Sequence, residues 1–352
     1  MTSPLRWGIL GSGKISSDFS NAIAESPNST VHAIAARSEA SAKEFSKKHG
    51  IEYFYEGYDA LLEDEEVDIV YVGMIHTGHK EAVLKCLNKG KHVLCEKPMG
   101  MNEREVEQMV SVAREKKLFL MEGMWTRCFP ATRRVVEVLS SGELGEVIHC
   151  QADLGFDIPF SVRRLYDLKW GGGGLLDLGI YPLAQVLLAF KGHGELKADQ
   201  ISASATLHAD GADQTGVVTL KFGTEGIGTA AYSTRCETSN ECQISLTKGK
   251  IRIHGISSHC PEKVSIKRVG TTSSSSSTET LDFPVPKYGL KCPMNFVNSE
   301  GFLYEVQHVE DMLRQNKTES DYWSLDETIQ CTKIMDKVRA AIGVRYPQDE
   351  LP

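Results

Sequence analysis

The sequence predicts two domains: a parallel α/β sheet covered by helices on both faces, followed by an α+β domain with a mostly antiparallel sheet. Three observations carry this. The first third of the chain alternates short apolar runs with helical spacing. After Trp125 the rhythm changes to strands of alternating apolar and polar residues joined by glycine-containing turns. At 352 residues, the chain also exceeds what one hydrophobic core ordinarily fills. The boundary falls between residues 1–124 and 125–352, with the C-terminal helices able to pack back on the first domain.

Leu5 to Leu10 is an apolar run ended by Gly11-Ser12-Gly13, and Ile15 to Glu25 then takes up helical spacing. Val31 to Ala36 reads as a strand, Ser41 to His49 as a helix, and Asp59 to Glu63 as a further helical piece. Val67 to Gly73 is a buried strand, Glu81 to Asn88 a helix, His92 to Cys95 a strand and Glu103 to Lys116 a long helix. A helix from Ala131 to Ser140 then precedes strands at Val147–Ile158, Ile201–His208, Gly216–Phe222, Gly228–Ser233, Gln243–Thr247 and Ile251–His254. Thr271 to Thr280, with its consecutive serines, reads as a solvated hairpin tip. Helices at Tyr304–Leu313 and Leu325–Ile342 close the chain.

Hydrophobic residues make up 41% and charged residues 24%, the balance of a globular protein. A formal charge of −8 without a Lys/Arg cluster argues against nucleic-acid partners. No stretch reads as a membrane span or signal segment, so no membrane partner and a cytoplasmic location are expected. The nine cysteines, among them Cys86, Cys95, Cys150 and Cys331, read as reduced core thiols. No metal is expected, because Cys-x-x-Cys and His-Glu-x-x-His spacings are lacking.

Gly11-x-Gly13-x-x-Ser16 stands between the first strand and first helix, where backbone N–H groups meet a pyrophosphate at the helix N-terminus. Ser12, Lys14 and Ile15 belong to the same cofactor-binding turn, and Ser16 replaces the third glycine with another small residue. The motif alone also fits an ordinary strand-to-helix turn. The second strand ends in Ala36-Arg37-Ser38 rather than in an acid. A guanidinium and a hydroxyl suit the 2′-phosphate of NADP, which a carboxylate would repel. At the carboxyl edge of the next strands stand His76, Thr77 and His79, then Glu96-Lys97-Pro98, all placed to reach a cofactor. Farther on, Gly171 to Gly174 precede Asp177 and Tyr181, four apart on a helix face. The glycines would permit close backbone approach to a ligand. Asp177 also suits capping a helix from Ile180 to Phe190, and Tyr181 suits a core position.

Together, Gly11-x-Gly13, Glu96-Lys97-Pro98 and Gly-Gly-Gly-x-Leu-x-Asp-x-Gly-x-Tyr resemble the Gfo/Idh/MocA oxidoreductase family over nearly the whole chain. The chain is most similar to the branch of NADP-dependent trans-dihydrodiol and D-xylose dehydrogenases, through Ile15-Ser16-Ser17-Asp18-Phe19 and Met121-Glu122-x-x-Trp125-Thr126-Arg127-x-Phe129-Pro130. The resemblance implies a doubly wound Rossmann domain and a large open sheet that forms a homodimer. It makes Tyr181 the proton-transfer residue, Lys97 its electrostatic partner, and Asp177 an orienting group for substrate or lysine. It also puts Trp125 on the substrate pocket, with Phe156 and Trp170 near in sequence.

Such an enzyme moves a hydride between the nicotinamide and a hydroxyl-bearing carbon of a diol or an aldopentose. A free phenol titrates near 10, so a base role requires a cation. An ammonium at an assumed separation of about 5 Å and a dielectric of about 20 favours phenolate by roughly 3 kcal/mol. A sugar or inositol dehydrogenase of the same family, and a non-catalytic NADP(H) sensor, are the competing readings.

Overall fold

The computed structural model describes residues 3–191, 200–270, 276–289 and 292–350. They form two compact units, Met1–Cys128 with Val285–Ile329, and Phe129–Pro284 with Gln330–Pro352.

The first unit is a doubly wound sheet of β1 (Leu5–Leu10), β2 (Ser29–Ala36), β3 (Tyr53–Glu56), β4 (Ile69–Val72), β5 (His92–Glu96) and β6 (Leu120–Gly123). Their order is β3-β2-β1-β4-β5-β6 and every pairing is parallel. The connecting helices are α1 (Lys14–Glu25), α2 (Glu39–His49), α3 (Asp59–Glu63), α4 (His79–Asn88) and α5 (Glu103–Lys116). Helices on both faces explain why β4 is apolar and buried at all four of its positions. Since β1 pairs with both β2 and β4, the strand order reverses there, and the carboxyl ends of β1 and β4 flank the switch point where such sheets bind ligands. Two four-residue strands, β3 and β6, extend the sheet beyond the expected ones. Tyr53-Phe54-Tyr55-Glu56 is too short and too exposed for a period to show, with its outer residues in water.

Glu122 on β6 knits this unit. Its fully buried carboxylate accepts hydrogen bonds from Met99 N (2.8 Å), Trp323 Nε1 (2.8 Å) and Thr328 Oγ1 (3.0 Å). The Arg127 guanidinium lies 4.5 Å above the Trp323 ring and pairs with Glu327 at 3.5 Å.

The second unit begins with α6 (Pro130–Ser141), β7 (Val147–Gly155) and α7 (Ile180–Ala189). There follow β8 (Ile201–Leu207), β9 (Asp213–Phe222), β10 (Gly226–Ser233), β11 (Cys242–Leu246), β12 (Gly249–His254), β13 (Lys263–Arg268) and β14 (Ser277–Asp282). These strands make an eight-stranded sheet of order β14-β13-β12-β11-β7-β10-β9-β8. The pairings are antiparallel except β7 with β10, which is parallel. Helix α7 packs on β7 and β10 and is buried at all its positions. The chain closes with α8 (Phe302–Arg314) in the first unit and α9 (Leu325–Ile342), which runs from the first unit into the second.

Two expectations change. The hairpin tip expected at Thr271–Thr280 is shorter, because Ser277 to Asp282 already pair with β13 as an edge strand whose threonines suit a pleated surface; residues 271–275 lie outside the described residues. The expectation that no stretch approaches a membrane span is also corrected. Within Leu168–Ala189 an 18-residue window reaches a mean hydropathy of 1.3, and 94% of that window is buried inside the protein, which accounts for its composition. Of the nine cysteines, eight are buried and Cys236 is exposed.

Glu122→Ala leaves an indole N–H, a hydroxyl and an amide unpaired, each worth about 1–3 kcal/mol when buried. A thermal melt is expected to fall by several degrees, and an unchanged midpoint would remove Glu122 from this role.

Candidate active site

In the first unit the turn after β1 is built around one carbonyl. Gly11 adopts φ +100°, and a Cβ there would stand 2.8 Å from Gly73 O, so both the conformation and the contact require glycine. Ser16 Oγ donates to the same oxygen at 3.2 Å, which draws α1 onto the end of β4 and suits a small residue at the third motif position. Gly13 differs, because its nearest neighbour would be Gly73 O at an ordinary 3.9 Å. The protein itself does not need a glycine there; the open space fits a cradle for a pyrophosphate. The N-terminus of α1 fits too, since it has no side-chain cap and no acid in its first turn, which includes Lys14 and Ile15.

Arg37, at the end of β2, is exposed and makes no ion pair among the described residues. Ser38 caps α2, its Oγ accepting from Ser41 N at 3.3 Å. His76 and Thr77 form one turn after β4. His79 opens α4 and is buried, its two ring nitrogens each 3.0 Å from a backbone oxygen, Pro98 O and Met74 O. Burial pushes its imidazole down to about 4, so the neutral ring donates to one of the two and ties the loop after β4 to the segment after β5.

Lys97 follows β5 and is half-buried. Behind it, Glu96 accepts from Tyr71 Oη at 2.7 Å and from Lys97 N at 3.2 Å. Burial raises the Glu96 carboxyl, opposed by the Tyr71 hydrogen bond and then by the Lys97 charge. Trp125 is 4% exposed and stacks on Phe302, with ring centroids 4.4 Å apart. Two residues of α8 thus join the site's surroundings unannounced by any motif: Phe302 and Glu305. Glu305 is fully buried, and neither of its carboxyl oxygens has a hydrogen-bond partner among the described residues. Burial, and then the Glu96 charge, raise its carboxyl well above the usual range.

In the second unit the glycine run packs against protein. Gly173 adopts φ +150°, and a Cβ there would stand 2.4 Å from Asp213 Oδ1 and 2.8 Å from Tyr346 Oη. Tyr346 Oη donates to Gly172 O at 2.9 Å, and the buried Asp213 carboxylate accepts from Leu175 N at 2.6 Å. The close approach expected of a ligand is therefore made by Asp213 and Tyr346. These contacts start a π-helical turn, Leu175–Gly179, that continues into α7. Such wider turns recur at functional sites. Asp177 lies on it and pairs with Arg164 at 2.9 Å, while Tyr181, 8% exposed, follows on the first turn of α7. Tyr181 faces His259 at 5.1 Å between ring centroids, and Phe156 faces the same histidine at 6.0 Å. Trp170 is 40% exposed and makes no ring contact with these three among the described residues. Arg164 and His259 carry no motif, and His259 lies far from Tyr181 in sequence. No group of three or more metal-ligating side chains occurs among the described residues.

Residues 5–124 match the description "Oxidoreductase family, NAD-binding Rossmann fold" and residues 132–252 match "GFO/IDH/MocA C-terminal domain". The chain is 40% identical over 347 residues, 98% of its length and 99% of the relative's, to the trans-1,2-dihydrobenzene-1,2-diol dehydrogenase of Danio rerio. It is 39% identical to that of Homo sapiens over 98% of this chain and 99% of the human one. Among solved structures, a 3-ketoreductase from Actinomadura kijaniata in complex with NADP and TDP-benzene shares the fold, with a TM-score of 0.79 and 24% identity over 97% of this chain and 98% of that one. An aldose-aldose oxidoreductase from Caulobacter crescentus does likewise, with a TM-score of 0.81 and 21% identity over 96% and 97%.

The raised Glu305 carboxyl means that above its ordinary value of 4.5 the folded state holds protons that the unfolded state has released, so stability falls as pH rises past that point. Glu305→Met is expected to raise the melting temperature by several degrees at pH 7, with a gain that shrinks toward pH 4. A lower midpoint at pH 7 would contradict this.

Proposed function

The chain belongs to the Gfo/Idh/MocA family of oxidoreductases, and from that premise we propose that it is an NADP-dependent dehydrogenase of a trans-dihydrodiol or of an aldopentose such as D-xylose. The observation that carries the reading is that the chain keeps Lys97 at the end of β5 together with Asp177 and Tyr181 around the start of α7. High identity over nearly the full length to dihydrodiol dehydrogenases supports the substrate class.

The nicotinamide dinucleotide, when bound, supplies the acceptor for the hydride that leaves carbon. The turn from Gly11 to Ile15 would hold its pyrophosphate on the N-terminus of α1, and His76, Thr77 and Glu96 would stand along the same sheet edge. Arg37 carries the preference for NADP: exposed and without an ion pair among the described residues, its guanidinium is open to a 2′-phosphate. Tyr181 takes the proton from the substrate hydroxyl, and Lys97 favours the phenolate that does so. Asp177, steadied by Arg164, orients the substrate. Trp125, Phe156 and Trp170 supply apolar surface for it. We further propose a cytoplasmic homodimer through the β8–β10 face of the second unit's sheet, where Val217 and Ile227 are 43% and 36% exposed.

Tyr181→Phe is expected to bind NADPH as the parent does and to lose most turnover, about 100-fold or more, since positioned proton transfer supplies that much. Equal turnover would remove the assignment. Arg37→Ala is expected to weaken NADPH about tenfold or more, the worth of a charge-assisted hydrogen bond, and NADH far less. Nicotinamide fluorescence titration with both cofactors measures this, and an unchanged ratio would contradict it.

A further inference from the structure

Tyr181 takes up a proton in every oxidative turnover and is itself only 8% exposed, so that proton needs a way out. The ring of His259 lies against it, 5.1 Å between centroids and tilted by 55°. His259 is half-buried, while its loop neighbours Ser257, Ser258 and Cys260 are buried. The loop is fastened beside α7: Gln185 Nε2, one turn beyond Tyr181, donates to Ser258 O at 2.6 Å, and Ser258 N donates to Asn240 O at 2.7 Å. The imidazole is oriented as well, with Nδ1 2.6 Å from Ser257 Oγ. When Nδ1–H donates to that hydroxyl, the tautomer leaves its lone pair on Nε2. Titratable neighbours of the ring include Tyr181 from α7 and Cys260 from its own loop, whose Sγ is 3.9 Å from Nδ1. Phe156, just after β7, also contacts the ring.

We infer that His259 relays the proton of Tyr181 to solvent, an inference that rests on the proposed role of Tyr181. Oxidation of the alcohol sends the carbon-bound hydrogen with its electron pair to a nicotinamide dinucleotide and leaves the hydroxyl proton on the Tyr181 oxygen. To reset the site, that O–H bond breaks, its electron pair stays on the phenolate oxygen, and the proton forms an N–H bond at Nε2 of neutral His259. The resulting imidazolium, on a half-buried residue, gives a proton to water. A group that works through another in this way is a positioning and relay residue, and its nitrogen rather than its ring is what counts.

The test compares the parent, His259→Phe, His259→Ala and Tyr181→Phe, with D-xylose and trans-1,2-dihydrobenzene-1,2-diol as substrates and NADPH fluorescence titration as the check on folding and cofactor binding. His259→Phe keeps an aromatic ring and is expected to lower kcat about tenfold or more, at the low end of proton-transfer contributions, with NADPH binding unchanged. His259→Ala is expected to be as slow and to regain several-fold of its rate with added imidazole. Independently of turnover, Tyr181→Phe is expected to shift the ring-nitrogen NMR signals of His259. Parental kcat in His259→Phe, or an alanine variant indifferent to imidazole, would overturn the relay while a dead Tyr181→Phe leaves the tyrosine's role standing. Full turnover in Tyr181→Phe would bring down both.

Discussion

The carbonyl oxygen of Gly73 is the fixed point on which the cofactor-binding half is assembled. It follows β4 directly, receives the Ser16 hydroxyl from α1, and leaves no room for a side chain at Gly11. A strand, a turn and a helix are thereby locked into one geometry at the switch point, with the helix N-terminus uncapped by any side chain. The electrostatics follow, since partial positive charge with no acid in the first turn favours an anion. The neighbouring strand ends then place Arg37, His76 and Lys97 along the same edge.

The second unit achieves comparable rigidity by different means. Asp213, buried and bonded to Leu175 N, and Tyr346, bonded to Gly172 O, stand so close to Gly173 that a side chain is excluded there. Burial raises the Asp213 carboxyl, opposed first by that backbone bond, so the contact carries part of the cost of hiding the group. Out of this grip comes the π-helical turn, with Asp177 on it and Tyr181 just beyond. The same compactness makes Leu168–Ala189 read like a membrane span by composition although its surface is spent on the core.

The sheet of the first unit was legible because covered strands leave long apolar runs between helical patterns, as at β4 and β5, and the chain reads the same way in sequence and in space. The sheet of the second unit was legible from period-two alternation, which follows from one wet face, as along β9. What escaped was what depends on distant contacts. Nothing near Gly171 to Gly174 says that Asp213 and Tyr346 will fill the space beside them. No local pattern marks Arg164 as the partner of Asp177, or His259 as the neighbour of Tyr181, because tertiary packing alone brings them together. Glu305 escaped for another reason: on a helix with an apolar face, a single glutamate normally reads as solvated, and only the packed structure shows it dry.

Hydride transfer between a nicotinamide and a hydroxyl-bearing carbon is the reaction that both units serve. The most direct test supplies oxidised NADP with D-xylose deuterated at C1, and with ring-deuterated trans-dihydrodiol, and weighs the reduced dinucleotide by mass spectrometry. NADPH is expected to acquire the deuterium from one of them. NADPH that forms without the label, or no reduction with either compound, would contradict it.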